Sequence, residues 1–263
     1  MTDSAAALKE EVADVIPIRA KLNVQSPQES IDWLNILIYG EPGAGKTFFS
    51  GTALDHPETR PVLMLDVDGG VTTLRKRQDL DVIQIRDMLT LQNTGNALYN
   101  DCKSGDSYYK TVVIDTGTEL QKIDMATVMK EQFNKKPETT DIDVPSPREW
   151  GKSGNRMREI LRVFRDLPMN FILTMHLNED ISDSGLRKVY PSVPGKLKNE
   201  LSGFFDVVGY LRTMSKKNGT EVEIIREMQF VNTEKVLAKD RFTALGQTIT
   251  NPTMPLIWNM THE

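Results

Sequence analysis

The run Gly40-Glu41-Pro42-Gly43-Ala44-Gly45-Lys46-Thr47 limits what this chain can fold into more than any other stretch. Three glycines in six residues let the backbone turn tightly, so that successive N–H groups point inward at an anion. A helix beginning near Lys46 aims its positive end at the same place. Lys46 supplies a point charge for β- and γ-phosphates, and the Thr47 hydroxyl supplies a ligand for Mg²⁺. The apolar run from Leu34 to Tyr39 leads in, and Thr47-Phe48-Phe49-Ser50 leads out with a helical pattern. Strand, loop and helix are the context that a phosphate-binding loop needs. The candidate set for ATP is therefore Gly40, Glu41, Pro42, Gly43, Ala44, Gly45, Lys46, Thr47 and Phe48, with Mg²⁺ as the accompanying ion.

Short β-rich runs recur beyond the loop at Pro61 to Val67, Val82 to Ile85, Thr111 to Ile114 and Asn170 to Met175. Runs this short and apolar on both faces suit strands of a parallel sheet covered by helices. Thr116 to Phe133 and Pro147 to Leu167 are long enough to be the crossover helices. The alternation predicts an α/β fold with a mainly parallel sheet flanked by helices. After Val207 the pattern changes. Val207 to Met214 and Glu221 to Val231 flank Lys217-Asn218-Gly219-Thr220, which predicts a C-terminal β-hairpin around an Asn-Gly turn. Val236 to Phe242 predicts one more strand. The expected organisation is an N-terminal arm over 1–30, a core over 31–245 and an irregular tail over 246–263. Pro137 to Pro147 and Asn178 to Pro194 read as polar loops.

Phosphate chemistry needs a carboxylate to orient the metal, at the end of a neighbouring strand. Thr111-Val112-Val113-Ile114-Asp115 ends four β-formers in an acid, which makes Asp115 the metal-orienting residue; helix capping is its alternative role. Hydrolysis also needs a group that positions water. Leu63-Met64-Leu65-Asp66-Val67-Asp68-Gly69-Gly70 ends a strand in two acids on one face. Asp68 is the first candidate for that role, Asp66 the second and Glu119 the third, while acids before Gly-Gly also serve as ordinary loop caps. Phe171-Ile172-Leu173-Thr174-Met175-His176 places His176 at the end of a strand expected beside the loop strand, where an imidazole would report the γ-phosphate.

A net charge of −5 argues against a protein that coats duplex DNA by charge alone. The single cysteine, Cys102, has no internal partner, as in a reducing compartment. Lys9, Glu10 and Glu11 interrupt the place where a leader would need an apolar stretch. No apolar run approaches the ~20 residues of a membrane helix. A soluble protein of the cytoplasm, without a membrane partner, is the expectation.

In their order, these motifs resemble the phage-encoded RecA-like ATPases linked to single-strand annealing. The likeness includes the loop, Leu65-Asp66-Val67-Asp68-Gly69-Gly70, Val112-Val113-Ile114-Asp115-Thr116, Arg148-Glu149-Trp150-Gly151 and Thr174-Met175-His176. Pro194-Gly195-Lys196-Leu197, Phe205-Asp206-Val207-Val208-Gly209-Tyr210 and Ala238-Lys239-Asp240-Arg241 extend it. The resemblance implies a RecA-like core, ATP with Mg²⁺, self-assembly into a homo-oligomer or filament, and recombination on single-stranded DNA in a host cytoplasm. It also implies a single-strand DNA-binding protein as a further partner. Lys46 and Thr47 match the loop, Asp115 the Mg²⁺ acid and His176 the γ-phosphate sensor; Asp68 stands where such cores commonly carry Glu. Lys239 and Arg241 resemble a Lys-x-Arg pair that enters a neighbour's ATP site, and i, i+2 residues of a strand point the same way. Expected DNA contacts lie around two loops. The first carries Lys130, Lys135, Lys136, Arg148, Lys152, Arg156 and Arg158; the second carries Arg187, Lys188, Lys196 and Lys198. Trp150 and Tyr190 are the expected stacking faces.

Three rival classes remain. An AAA-type motor or remodeller usually carries a helical lid after the sensor strand, where this chain reads as hairpin and strand. A P-loop small-molecule kinase needs an acceptor pocket and an Arg-rich lid. A non-hydrolysing nucleotide-binding scaffold is the third, suggested by the short side chain of Asp68. Asn134-Lys135-Lys136-Pro137 lacks the acid that reads guanine, which disfavours a GTPase.

Overall fold

Strand β1 (Asn35–Gly40) sits inside the sheet because nearly all of it is apolar, and Ile36 to Tyr39 are fully buried. The computed structural model describes residues 33–263 except Asp106, Ser184, Pro194, Lys196, Gly219, Thr220 and the side chains of Lys217, Asn218 and Glu221. The expected arm over 1–30 lies outside the described residues. Trp33–Glu263 forms one compact unit.

The loop after β1 leads into α1 (Lys46–Gly51), then β2 (Val62–Asp66), β3 (Asp81–Gln84), α2 (Met88–Ser104), β4 (Thr111–Asp115), α3 (Gly117–Lys135) and α4 (Pro147–Arg165). β5 (Asn170–Ile181), β6 (Arg187–Pro191), α5 (Leu197–Glu200), β7 (Val207–Asn218) and β8 (Glu221–Gln229) follow. The chain ends with β9 (Lys239–Asp240), β10 (Thr248–Thr250) and α6 (Met254–His262). Across the sheet the order is β10-β8-β7-β1-β5-β4-β2-β3. All pairs from β7 to β3 are parallel, and β8 and β10 add an antiparallel edge. The α/β sheet and the hairpin are as the sequence predicts.

Alternation along each strand separates two cores. Leu37 and Tyr39 join Leu161, Phe164 and Phe171 on one face, with α2, α3 and α4. Ile36 and Ile38 join Phe49, Met228, Ile257 and Trp258 on the other, with α1 and α6. Helix starts follow the capping residues: Thr116 accepts from the Glu119 N–H, and Ser146 with Glu149 makes a capping box ahead of Pro147.

The structure differs from the sequence reading in four places. The Asp115 strand is not beside β1, since β5 lies between them. β5 runs on past His176 to Ile181 and turns back through β6, so much of the expected loop from Asn178 is a hairpin. The strand expected from Val236 to Phe242 is two residues long. Residues 246–263, read as an irregular tail, form β10 and α6 and bury Ile249, Met254, Ile257 and Trp258 in the second core. The turn expected at Asn218-Gly219 falls partly outside the described residues; pairing extends to Asn218 opposite Glu221.

Candidate functional site

Parallel strands end on one edge of the sheet, and that polarity collects the polar groups. Gly40 lies opposite His176, and Asp66 opposite Asp115. Crevices outside the carboxyl ends of parallel strands are where open α/β sheets take ligands. A side chain at Gly40 would collide with the Leu211 carbonyl, so only glycine lets β7 pass beside the start of the loop. Gly43 and Gly45 have φ of 81° and 101°, the left-handed conformations that curl the loop over the start of α1.

Lys46 is buried. Its ammonium donates to the Gly40 carbonyl at 2.9 Å and the Glu41 carbonyl at 3.0 Å, holding the charge at the mouth of the loop. Burial lowers its pKa, and Asp115, Asp68 and Glu41 oppose the shift. The Thr47 hydroxyl donates to Asp115 Oδ2 at 2.6 Å, and the Thr174 hydroxyl donates to Oδ1. Asp115 is fully buried, and desolvation pushes its pKa up; the two hydroxyls pull it down, and Asp68 and Asp66 push it further up. Among the described residues no three His, Cys, Asp or Glu side chains gather as a metal cluster. What gathers instead is a cradle at Gly70. A Cβ there would lie 3.0 Å from Asp68 Oδ1, 3.2 Å from Thr47 Oγ1 and 3.3 Å from Asp115 Oδ2. These three hard oxygens lie close together beside Gly70, and such a donor set suits Mg²⁺, which completes its shell with water and phosphate oxygens.

The two acids of the β2 end separate in role. Asp66 is buried, accepting from the Gly69 N–H at 3.0 Å and from Gln84 Nε2 at 2.6 Å, so it fixes the turn. Asp68 is exposed and accepts only from the Gly70 N–H among the described residues, at 2.9 Å on Oδ1, the same oxygen that lies at the cradle, which leaves Oδ2 without a partner there. Glu119, the third candidate, accepts from Lys122 at 2.6 Å and lies 4.0 Å from His176 Nε2. His176 is held through its backbone, donating to Thr118 Oγ1 at 3.0 Å.

Lys239 and Arg241 are not brought to this edge. Lys239 pairs with Val208, and Arg241 donates to Asp206 Oδ1 at 2.6 Å while Asp206 Oδ2 accepts from the Asn35 N–H, at the amino end of β1. Lys239 is turned inward onto the carbonyls of Ser202 and Phe205, at 3.0 and 2.7 Å. Burial lowers its pKa, with Arg241 adding to the shift. Arg241 keeps 55% of its side chain exposed.

Four of the cations expected to meet DNA are neutralised within the chain. Arg156 pairs with Glu131 and Asp124, Arg158 with Glu200, Arg187 with Glu179, and Lys198 with Asp180. Lys152 donates to Gln132. Tyr190 offers no stacking face: it is buried, its hydroxyl donates to Asp180, and Lys198 covers its ring at 3.5 Å. Lys130, Lys135, Lys136, Arg148 and Lys188 are exposed, as is Trp150; Lys196 lies outside the described residues.

Two site residues escaped the sequence reading. Thr174 is the only hydroxyl in Phe171-Ile172-Leu173-Thr174-Met175, and that polar atom in a buried strand was the available signal. Arg226 of β8 lies against Gly45, and nothing in its spacing marks it. The chain matches the AAA domain family over residues 33–242. No curated protein matches it. Among solved structures, an ATPase from the type III secretion system of pathogenic bacteria is similar at 14% identity and a TM-score of 0.43, over 67% of this chain and 50% of that one.

Proposed function

We propose, for a chain that belongs to the AAA domain family, that its P-loop edge hydrolyses ATP with Mg²⁺ and that the enzyme works as a homo-oligomer on single-stranded DNA in recombination or annealing. The observation that carries the ATPase reading is the cradle at Gly70, where oxygens of Thr47, Asp115 and Asp68 lie close together beside Lys46. Thr47 and Asp115 would hold Mg²⁺, and that ion would offset charge on the β- and γ-phosphates. Lys46 would leave the loop carbonyls for phosphate oxygens. Asp68 would orient the attacking water, and His176, opposite Gly40, would contact the γ-phosphate side.

Support for the DNA partner is the sequence resemblance together with the exposure of Lys130, Lys135, Lys136, Arg148 and Trp150. A single-strand DNA-binding protein as further partner rests on the resemblance alone. Self-assembly rests on the sequence resemblance; Arg241 is paired with Asp206 at the far end of the sheet from its own loop, so a nucleotide phosphate that it contacted would belong to another subunit. A second reading, an AAA-type remodeller of another macromolecule, is favoured by the family match itself. ATPase assays with and without single-stranded DNA test the choice. Stimulation supports the DNA reading; Mg²⁺-dependent turnover indifferent to DNA favours the remodeller; absence of turnover removes both.

A further inference from the structure

Along β8, Ile224 and Arg226 are two residues apart and share a face. That face turns to the phosphate loop. A Cβ at Gly45 would lie 2.8 Å from Arg226 Cδ and 3.3 Å from Cζ, so the arginine stem rests on the loop itself. Its guanidinium carbon lies 5.3 Å from the centroid of the Phe48 ring, in the first turn of α1. The position is fixed from behind. Arg226 N–H donates to Asn251 Oδ1 at 3.0 Å, and Asn251 N–H returns a bond to the Arg226 carbonyl at 2.6 Å.

These groups have large free surfaces. Phe48 is 47% exposed and Ile224 is 74% exposed, and Arg226 itself is exposed with no acidic partner among the described residues. An uncommitted planar cation, an aromatic ring and an aliphatic side chain beside a phosphate loop match one chemistry. A nucleobase is flat, apolar on its faces and stacks on both guanidinium and aromatic groups.

The geometry points to Arg226, with Ile224 and Phe48, as the wall that receives the base of the bound nucleotide, supplied by the same chain's C-terminal hairpin. This rests on the P-loop reading and deepens it: the loop takes the phosphates, and the hairpin takes the base. Arg226 thereby has a different task from Arg241, which lies at the other end of the sheet.

The test compares ATP with inorganic tripolyphosphate, each with Mg²⁺, by calorimetric titration of the full chain. Arg226→Ala is expected to weaken ATP by about tenfold, as for a lost stacking cation, and tripolyphosphate by less than about twofold. Ile224→Ser is expected to show the same selectivity with a loss of about threefold. Arg226→Lys keeps the charge without the plane and is expected to stay close to the alanine variant. Equal losses for both ligands would assign Arg226 to the phosphates and overturn the base wall. Unchanged ATP affinity would place the base elsewhere, for instance toward the cleft of about 530 Å³ between Phe48 and Thr72, and overturn it too. If the wild-type chain binds neither ligand, the P-loop reading itself falls; if it binds ATP and the variants do not differ, only this proposal does.

Discussion

Lys46 and Asp115 are opposite charges buried at one site, a burden that the proposed nucleotide and Mg²⁺ would offset. Removing the ammonium deletes ligand contacts rather than core packing. Lys46→Ala should therefore weaken ATP by roughly 2–3 kcal/mol, the scale of a hydrogen bond to a charged group, or about a hundredfold. Thermal melting should stay close to wild type, and equal affinities by calorimetry would sink the phosphate-loop assignment. For Asp115 the sign runs the other way. Its folded pKa is raised, so the folded chain binds the proton more tightly than the unfolded one. Stability then falls as the pH rises from about 4, the unfolded value, through the raised folded value, and the full penalty is present above it. Asp115→Asn should melt higher than wild type at neutral pH without Mg²⁺, by about 2–4 °C for each kcal/mol recovered, and should lose Mg²⁺-dependent turnover. A variant that melts lower would mean that the hydrogen bonds from Thr47 and Thr174 outweigh desolvation. Asp68→Ala should bind ATP normally and turn over about a hundredfold slower, the scale of lost acid–base help. Normal turnover there, with loss in Glu119→Gln, would move the role to the residue beside His176.

Elements explain what the sequence disclosed and what it withheld. β1, β2, β4 and the start of β5 were legible because each is a short apolar run closed by a glycine, an acid or a polar residue, and α4 because Ser146 and Glu149 announce it. Neighbour order was legible only in part: the His176 strand lies beside β1 as expected, but the Asp115 strand does not. The period of β5 is the same whether it lies outside or between β1 and β4, so its position there is a tertiary fact. The far C-terminus failed for a different reason. Pro252 and Pro255 looked like breakers, yet Pro255 occupies the first turn of α6, where proline is tolerated. Trp258 of that helix is nearly buried and stacks on His262 at 3.7 Å. Trp258→Ala should cost about 3 kcal/mol or more, lowering the melting midpoint by near 10 °C. A shift under 2 °C would show that α6 is an ornament rather than part of the second core.

At the scale of the whole molecule, the residues proposed to hold phosphates lie at one end of the sheet and Arg241 at the other. Mixing Lys46→Ala with Arg241→Ala tests whether they meet between subunits. In a shared-site assembly some interfaces pair an intact loop with an intact arginine, so part of the activity should return. Mixed oligomers that stay inactive would place Arg241 outside any shared site. The same sheet imposes an order in time. Among the described strands β1 pairs only with β5 and β7, and just ahead of it the bond from the Leu34 N–H to Asn170 spans 136 residues. While the chain emerges from a ribosome, the phosphate loop therefore exists in sequence long before it exists in space. Its strand waits, apolar and unpaired, until two thirds of the chain has been made, which is the kind of segment that holding chaperones occupy. A fragment released at residue 165 should neither bind ATP nor stay dispersed, whereas one released after β8 has every strand that borders the loop.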